Sequence, residues 1–181
     1  MEKFYRFANR LAEAFNSEGL DYAFTGALAV SFYGAPRTTS DVDVMVGVGG
    51  ADVKKVGAVL RRAGLEVEER KISEALASGY NIATFRDKAS AYTVDVIFSG
   101  EKLDKQAGTV AGVNTFFQKP EGLVLAKLRM IKVTVPRERT VKDVEDVKAI
   151  LAFTKVDLAA VKRQAKKEGT LEILQALKGS K

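Results

Sequence analysis

Residues 41–46 read Asp-Val-Asp-Val-Met-Val, a strict alternation of polar and apolar side chains. Only a strand with one face in a core and the other open satisfies that pattern. Val42, Val44 and Val46 then fill the core, and Asp41 and Asp43 project together from the other face, their Cβ atoms roughly 6.5 Å apart. Two carboxylates side by side repel, so the arrangement calls for a compensating charge, and a divalent metal ion is the usual one. Gly26 stands at a strand-to-helix junction shortly before. There a glycine lets backbone N–H groups approach an anion. The ordinary reading of the same glycine is that it only allows close packing.

Periodicity gives the rest of the chain a coarse order. Phe4, Phe7, Ala8, Leu11, Ala12 and Phe15 form one helical stripe over 2–18. A strand over 22–25, a small-residue helix over 27–33 and an Arg-Thr-Thr turn lead to the strand at 41–46. Gly47–Gly50 is expected as a connector. A helix over 51–63, an edge strand over 65–69 and a short helix over 72–77 follow. Strands over 80–86 and 91–98 flank a polar turn at Asp87-Lys88, and 103–106 reads as a helical turn. A hairpin over 108–117 turns at Gly112. Pro120 opens a helix running to Val133. Helices over 140–153, 157–168 and 170–177 complete the chain. The expected fold class is α+β: a mixed sheet flanked by helices over 1–118, then a helical segment over 119–181.

Composition removes whole classes of chemistry. The 181 residues contain no Cys and no His. That excludes disulfides, thiolate nucleophiles and histidine–metal sites, and leaves carboxylates, Lys, Arg, Tyr and hydroxyls. The N-terminus has no signal-peptide pattern and no run approaches a membrane span, so a cytoplasmic protein is expected. The absence of Cys and Trp, with few Asn and Gln, points weakly to a thermophilic source. The net charge of +6 is uneven: residues 1–118 hold 14 basic and 15 acidic side chains, residues 119–181 hold 15 and 8. A basic C-terminal segment suits an anionic partner such as RNA, DNA or a nucleotide, and equally a solvated helical surface.

Further candidates lie downstream. Asp95 interrupts the apolar β-run Tyr-Thr-Val-Asp-Val-Ile-Phe, where a carboxylate needs a metal, Arg37 or an edge-strand position to be tolerated. Lys127 sits on a helical stripe with Leu123, Val124, Met130 and Ile131, so it must reach an anion or snorkel to solvent. Asp143 falls three residues after Thr140, in a capping arrangement that gives it a structural use. Asp146 lacks that use and ranks higher as a site residue. Arg37 could neutralise phosphates or lock Asp41 or Asp95.

The run G-A-L-A-x-x-x-Y-G-x-x-R-x-T-x-D-x-D-V, Gly26 to Val44, resembles the N-terminal motif of the DNA polymerase beta-like nucleotidyltransferases. It is closest to the abortive-infection toxin-type and minimal nucleotidyltransferase group. The resemblance covers roughly residues 20–98. It implies that the Gly26 turn holds the triphosphate of an NTP. It also implies that Asp41 and Asp43, with Asp95 as the third carboxylate, bind Mg²⁺ or Mn²⁺ and carry catalysis. The segments P-E-G-L-V-L-A-K-L-R-M and R-T-V-K-D-V-E-D-V are similar to the toxin-type branch. They imply nucleotide-binding roles for Lys127 and a downstream aspartate, Asp146 before Asp143. Gly26, Ala27 and Arg37 complete the implied nucleotide contacts.

Where the family often carries Ser or Gly, this chain has Ala27, so a hydroxyl contact to phosphate is missing. The implied activity is transfer of an NMP from an NTP to a hydroxyl on RNA, protein or a small molecule. An alternative stays open: a weak or inactive NTP- or RNA-binding module, or an antitoxin-like partner of another protein. So does a third, a basic RNA-binding domain whose aspartates are structural.

Overall fold

A computed structural model describes residues 2–34, 36–37, 39–48 and 53–179. Thr38 of the expected turn, Gly49 and Gly50 of the expected connector, and residues 51–52 of the expected helix lie outside the described residues. The chain divides into two compact units, Met1–Leu28 with Thr38–Gln118, and Ala29–Arg37 with Lys119–Lys181.

The first unit is built on a mixed sheet. Its elements are α1 (Glu2–Ser17), β1 (Tyr22–Phe24), the first turn of α2 (Gly26–Phe32), β2 (Asp41–Gly47), α3 (Val53–Arg62), β3 (Leu65–Glu66), α4 (Glu69–Ser78), β4 (Ile82–Asp87), β5 (Thr93–Ser99), β6 (Lys105–Val110) and β7 (Val113–Gln118). The described strands form one seven-stranded sheet in the order β3-β4-β5-β2-β1-β7-β6. β2 runs parallel to β5 and β1 parallel to β7, and the remaining pairs are antiparallel. This is an α+β fold with a mixed sheet.

Alternation decides which sheet face is buried. Val42, Val44 and Val46 of β2, Val94, Val96 and Phe98 of β5, and Ala83 and Phe85 of β4 are all buried. Each fully buried Val or Phe contributes about 1.5–3 kcal/mol, which fixes the register against a one-residue slip. α1 buries its predicted stripe, and Phe7 stacks on Tyr92 at 5.7 Å. Arg10 donates to the Ala63 carbonyl at 2.7 Å and pairs with Asp87, which Ser90 also bonds. Asp87 is thus a buried ion-pair partner at the end of β4, where the sequence suggests only a polar turn.

One expectation fails here. Residues 103–106 are not a helical turn, because Lys105 and Gln106 open β6, in register with Gln118 and Phe117. A tertiary anchor overrides the local pattern. The Lys105 ammonium bonds Asp21 at 2.5 Å and lies 4.2 Å from the centre of the Phe116 ring. The β6–β7 turn does fall at Gly112, where Ala111 (φ 43°) and Gly112 (φ 87°) both adopt the left-handed conformation of a two-residue hairpin. β3 is only two residues long, and α4 begins at Glu69, earlier than periodicity suggests.

The second unit is helical. It contains the rest of α2, α5 (Pro120–Val133), a 3₁₀ turn (Arg137–Thr140), α6 (Val141–Phe153), α7 (Leu158–Glu168) and α8 (Leu171–Gly179). Pro120 occupies the first turn of α5, and the Asp157 carboxylate caps α7 by accepting from the Ala159 and Ala160 amides. Thr140 precedes α6 but makes no side-chain cap, since its hydroxyl donates to the Arg137 carbonyl at 2.7 Å. The capping use expected for Asp143 is therefore absent. Residues 29–37 belong with these helices: the Thr154 hydroxyl donates to the Tyr33 carbonyl at 2.9 Å. No helix among the described residues is long and apolar enough to cross a membrane.

Candidate functional site

The parallel pairing of β2 with β5 sets Asp41 opposite Thr93 and Asp43 opposite Asp95. Adjacent strands lie about 4.8 Å apart, so Asp43 and Asp95 stand as direct neighbours on the face opposite the core. Asp41 is on that same face, two residues earlier on β2. β5 lies between β4 and β2, so Asp95 is not an edge-strand residue. Its carboxylate accepts from the Thr84 hydroxyl of β4 at 2.6 Å, and Asp41 accepts from the Thr39 hydroxyl. Thr39 and Thr84 hold two of the candidate carboxylates, and sequence reasoning passed over both. For Thr84 a signal existed, because the alternation Ile82, Thr84, Arg86 puts it on the open face.

Gly26 is required by space as well as by backbone. Its φ is +57°, and a Cβ built there would lie 1.8 Å from Oδ2 of Asp43 and 2.6 Å from its Cγ. The Asp43 carboxylate is seated directly on the Gly26 backbone. The Thr25 amide donates to the Asp43 carbonyl at 2.9 Å, and the Thr25 hydroxyl donates to Gln118 at 2.6 Å. These bonds pin the junction between β1 and α2. Ala27 follows, buried at 6% exposure. Gly26→Ala meets both obstacles at once. We expect it to lower any activity that depends on Asp43 by about 10²-fold, with a stability loss of about 1–2 kcal/mol from the left-handed backbone. Steady-state kinetics and a thermal melt measure the two separately.

The remaining candidates gather in the helical unit. The Lys127 ammonium lies 2.8 Å from Asp143 and 2.9 Å from Asp146, and Arg37 also pairs with Asp146. The Arg37 amide donates to the Ser31 hydroxyl oxygen at 3.2 Å. The Asp146 side chain is 6% exposed and that of Lys127 13%. Burial alone would lower the Lys127 pKa, but its bonds to Asp143 and Asp146 outweigh that and hold it above the ordinary lysine value. Arg37 is thus paired with Asp146, a partner not foreseen from sequence. Lys127 reaches an anion as its apolar stripe demands, and two carboxylates of its own unit supply it.

Among the described residues, no group of three or more acidic side chains is arranged to enclose a metal ion. The donor chemistry of the open sheet face nevertheless suits a hard divalent cation. Mg²⁺ is commonly held by one or two carboxylates, with substrate phosphates and water completing the shell. Asp43 and Asp95 in register, with Asp41 on the same face, supply that set.

No family model matches the chain, and no curated protein sequence matches it. Solved structures do resemble it. The solution structure of the antibiotic-resistance factor ANT(2'')-Ia superposes with a TM-score of 0.66 at 11% identity, covering 97% of each chain. The crystal structure of ANT(2'')-Ia in complex with adenylyl-2''-tobramycin gives 0.60 at 12% identity, again over 97% of each chain. An antigenic nucleotidyltransferase-like protein from Paracoccidioides brasiliensis gives 0.56 at 15% identity, covering 98% of this chain and 93% of the other. At these identities the likeness is one of fold: the chain has a nucleotidyltransferase-like fold.

Proposed function

We propose that this nucleotidyltransferase-like chain is a metal-dependent enzyme moving an NMP from an NTP to a hydroxyl acceptor. The observation that carries the proposal is the pairing of Asp43 with Asp95 across β2 and β5, with Asp43 seated on Gly26. Like charges directly opposite each other cost stability in a sheet, so their retention on an otherwise well-patterned surface favours a ligand-binding role.

Asp41, Asp43 and Asp95 would hold Mg²⁺ or Mn²⁺. When bound, the ion neutralises phosphate charge and acidifies the acceptor hydroxyl. The chain's own residues do the rest. Asp95, oriented by Thr84, accepts the acceptor's proton and later releases it to solvent. The acceptor oxygen bonds to the α-phosphorus, and the bond from that phosphorus to the β-bridging oxygen breaks, releasing pyrophosphate. Asp43, fixed by the Gly26 seat, keeps the reacting centre at one place on the sheet. The helical segment around Lys127 supports a toxin-type relationship through its resemblance to that branch.

The test is incubation with each labelled NTP, Mg²⁺ or Mn²⁺, and total RNA or lysate, reading pyrophosphate. Release is expected with the wild type, and Asp95→Asn should slow it by about 10²–10⁴-fold. A binding module without turnover is the second reading, favoured by Ala27, which brings no hydroxyl to a phosphate. Heat on titration with ATP and Mg²⁺, without pyrophosphate from any NTP, would select it.

A further inference from the structure

β6 (Lys105–Val110) forms one edge of the sheet and β3 (Leu65–Glu66) the other. An edge strand offers a row of unused N–H and C=O groups to any further strand. Proteins usually guard against that with shortness, charge, proline or a bulge. β3 is guarded: it is two residues long, its Glu66 is exposed, and Glu68 and the charged helix α4 follow directly. β6 is not. It is six residues long, about 20 Å. It contains no proline and no acidic residue, and it pairs residue for residue with β7 without a bulge. Its one charge, Lys105, is turned to Asp21 at 2.5 Å and to the Phe116 ring.

The hairpin fixes which groups face outward. In a two-residue hairpin the residues flanking the turn exchange both backbone bonds, and bonded and non-bonded pairs then alternate. The bonded pairs are therefore Val110 with Val113, Gly108 with Thr115, and Gln106 with Phe117. The N–H and C=O groups of Lys105, Ala107 and Thr109 point away from β7. Ala107 and Thr109 are exposed, and among the described residues no other segment bonds their backbone.

We propose that β6 is a dimerisation edge, pairing antiparallel with β6 of a second copy of this chain about a two-fold axis. Only registers that set outward residues opposite one another can form the bonds. Centred on Ala107, that residue meets its own counterpart, and Lys105 meets Thr109. Centred on Gly108, Ala107 meets Thr109 and Gly108 meets its counterpart. Neither register opposes like charges, and the side chains at the axis are small enough for normal strand spacing. A two-fold pairing uses the same edge on both copies and closes at the dimer, and the short, charged β3 offers no comparable strand for growth. A contact of this length lies at the small end of specific interfaces, below about 1,200 Å², so a micromolar dimer is expected. β7 and β1 separate β6 from β2, and the dimer does not depend on the transferase reading.

Sedimentation velocity of the full chain from about 1 to about 200 µM tests this, a range chosen to bracket a micromolar dissociation constant. The wild type should move from 19.6 kDa towards twice that mass. Ala107→Pro removes an outward N–H that β7 does not use. A107K with T109K sets lysines opposite one another in either register. Each should weaken dimerisation at least about tenfold, with circular dichroism confirming the fold at low concentration. If Ala107→Pro fails to fold, the lysine variant decides. Amide exchange supplies the position: in the wild type the Ala107 and Thr109 amides should slow at least about fivefold at the higher concentration, while those of Gln106 and Gly108, already bonded to β7, stay unchanged. A wild type that remains at 19.6 kDa throughout overturns the proposal. So does a dimer that the lysine variant leaves intact, or one that leaves Ala107 and Thr109 exchange unaltered, since either puts the contact on another surface. Growth beyond the dimer overturns it too, because a two-fold pairing closes.

Discussion

Replacing Asp43 by Asn is expected to reduce pyrophosphate release by about 10³-fold while leaving the melting temperature unchanged or slightly higher. Asn has nearly the same shape, so the fit against Gly26 survives, where a Cβ would already lie 1.8 Å from Oδ2. What disappears is a full negative charge at the place where phosphate and cation would meet, and losing one such electrostatic contact typically costs 10²–10³ in rate or more. Stability should move the other way. Asp43 faces Asp95 directly in the β2–β5 register, and opposed like charges destabilise a sheet by a few tenths of a kcal/mol. Neutralising one relieves that repulsion, the usual trade between stability and activity. Kinetics and a thermal melt on the same preparation give both numbers. Full activity, or a melting point several degrees lower, would mean that the pair is structural.

Asp146→Ala should produce the largest stability loss of any single substitution considered. Asp146 is the shared anion of a buried network, pairing with both Arg37 and Lys127. Removing one partner of a buried ion pair leaves an uncompensated charge and costs about 3–5 kcal/mol. For a chain of this size that lowers the melting temperature by roughly 10 °C. Asp143 still bonds Lys127 at 2.8 Å, which sets the lower end of that range. The pH dependence has a definite sign. The folded pKa of Lys127 is raised above 10.5. Its contribution is therefore fully present below the unfolded value and is lost as pH rises through the folded one. Urea unfolding from pH about 8 to about 12 should show an alkaline decline in the wild type, and the decline should begin at lower pH in Asp146→Ala. Equal stability of wild type and variant across that range would show that the network contributes nothing.

How much of this was legible in the sequence depended on how local each feature is. The strict alternation at 41–46 placed Asp41 and Asp43 on one face, and the run around Asp95 placed Val94, Val96 and Phe98 in the core, as the structure has them. Helix α5 begins at Pro120 and ends at Val133 as its periodicity and proline dictate. Asp157 caps α7, and Gly112 turns the β6–β7 hairpin, each for a reason contained within a few residues. Features that need a distant partner were not legible. Nothing near Lys105 announces Asp21 or the Phe116 ring, so its segment reads as a helical turn and is in fact a strand. Thr140-x-x-Asp143 has the letters of a capping box. Lys127, one helix earlier, supplies Asp143 with a stronger bond than a backbone amide would. Arg37 has several carboxylates within sequence reach, and only the fold selects Asp146 among them.

The clustering of residues 29–37 with the C-terminal helices has a consequence for how the chain can be divided. Scission after Gln118 would not release an intact sheet unit and an intact helical unit. The first fragment would carry away Ala29, Val30 and Tyr33, which are buried, together with the Tyr33 carbonyl that Thr154 bonds. The second would lose Arg37 and leave the Asp146–Lys127 network one cation short. Neither fragment is expected to behave as a free-standing module, although the two should complement each other when mixed. In gene-fusion or recombination terms the helical unit is drawn from two separate stretches of the chain, so a crossover at residue 118 would not transfer it whole.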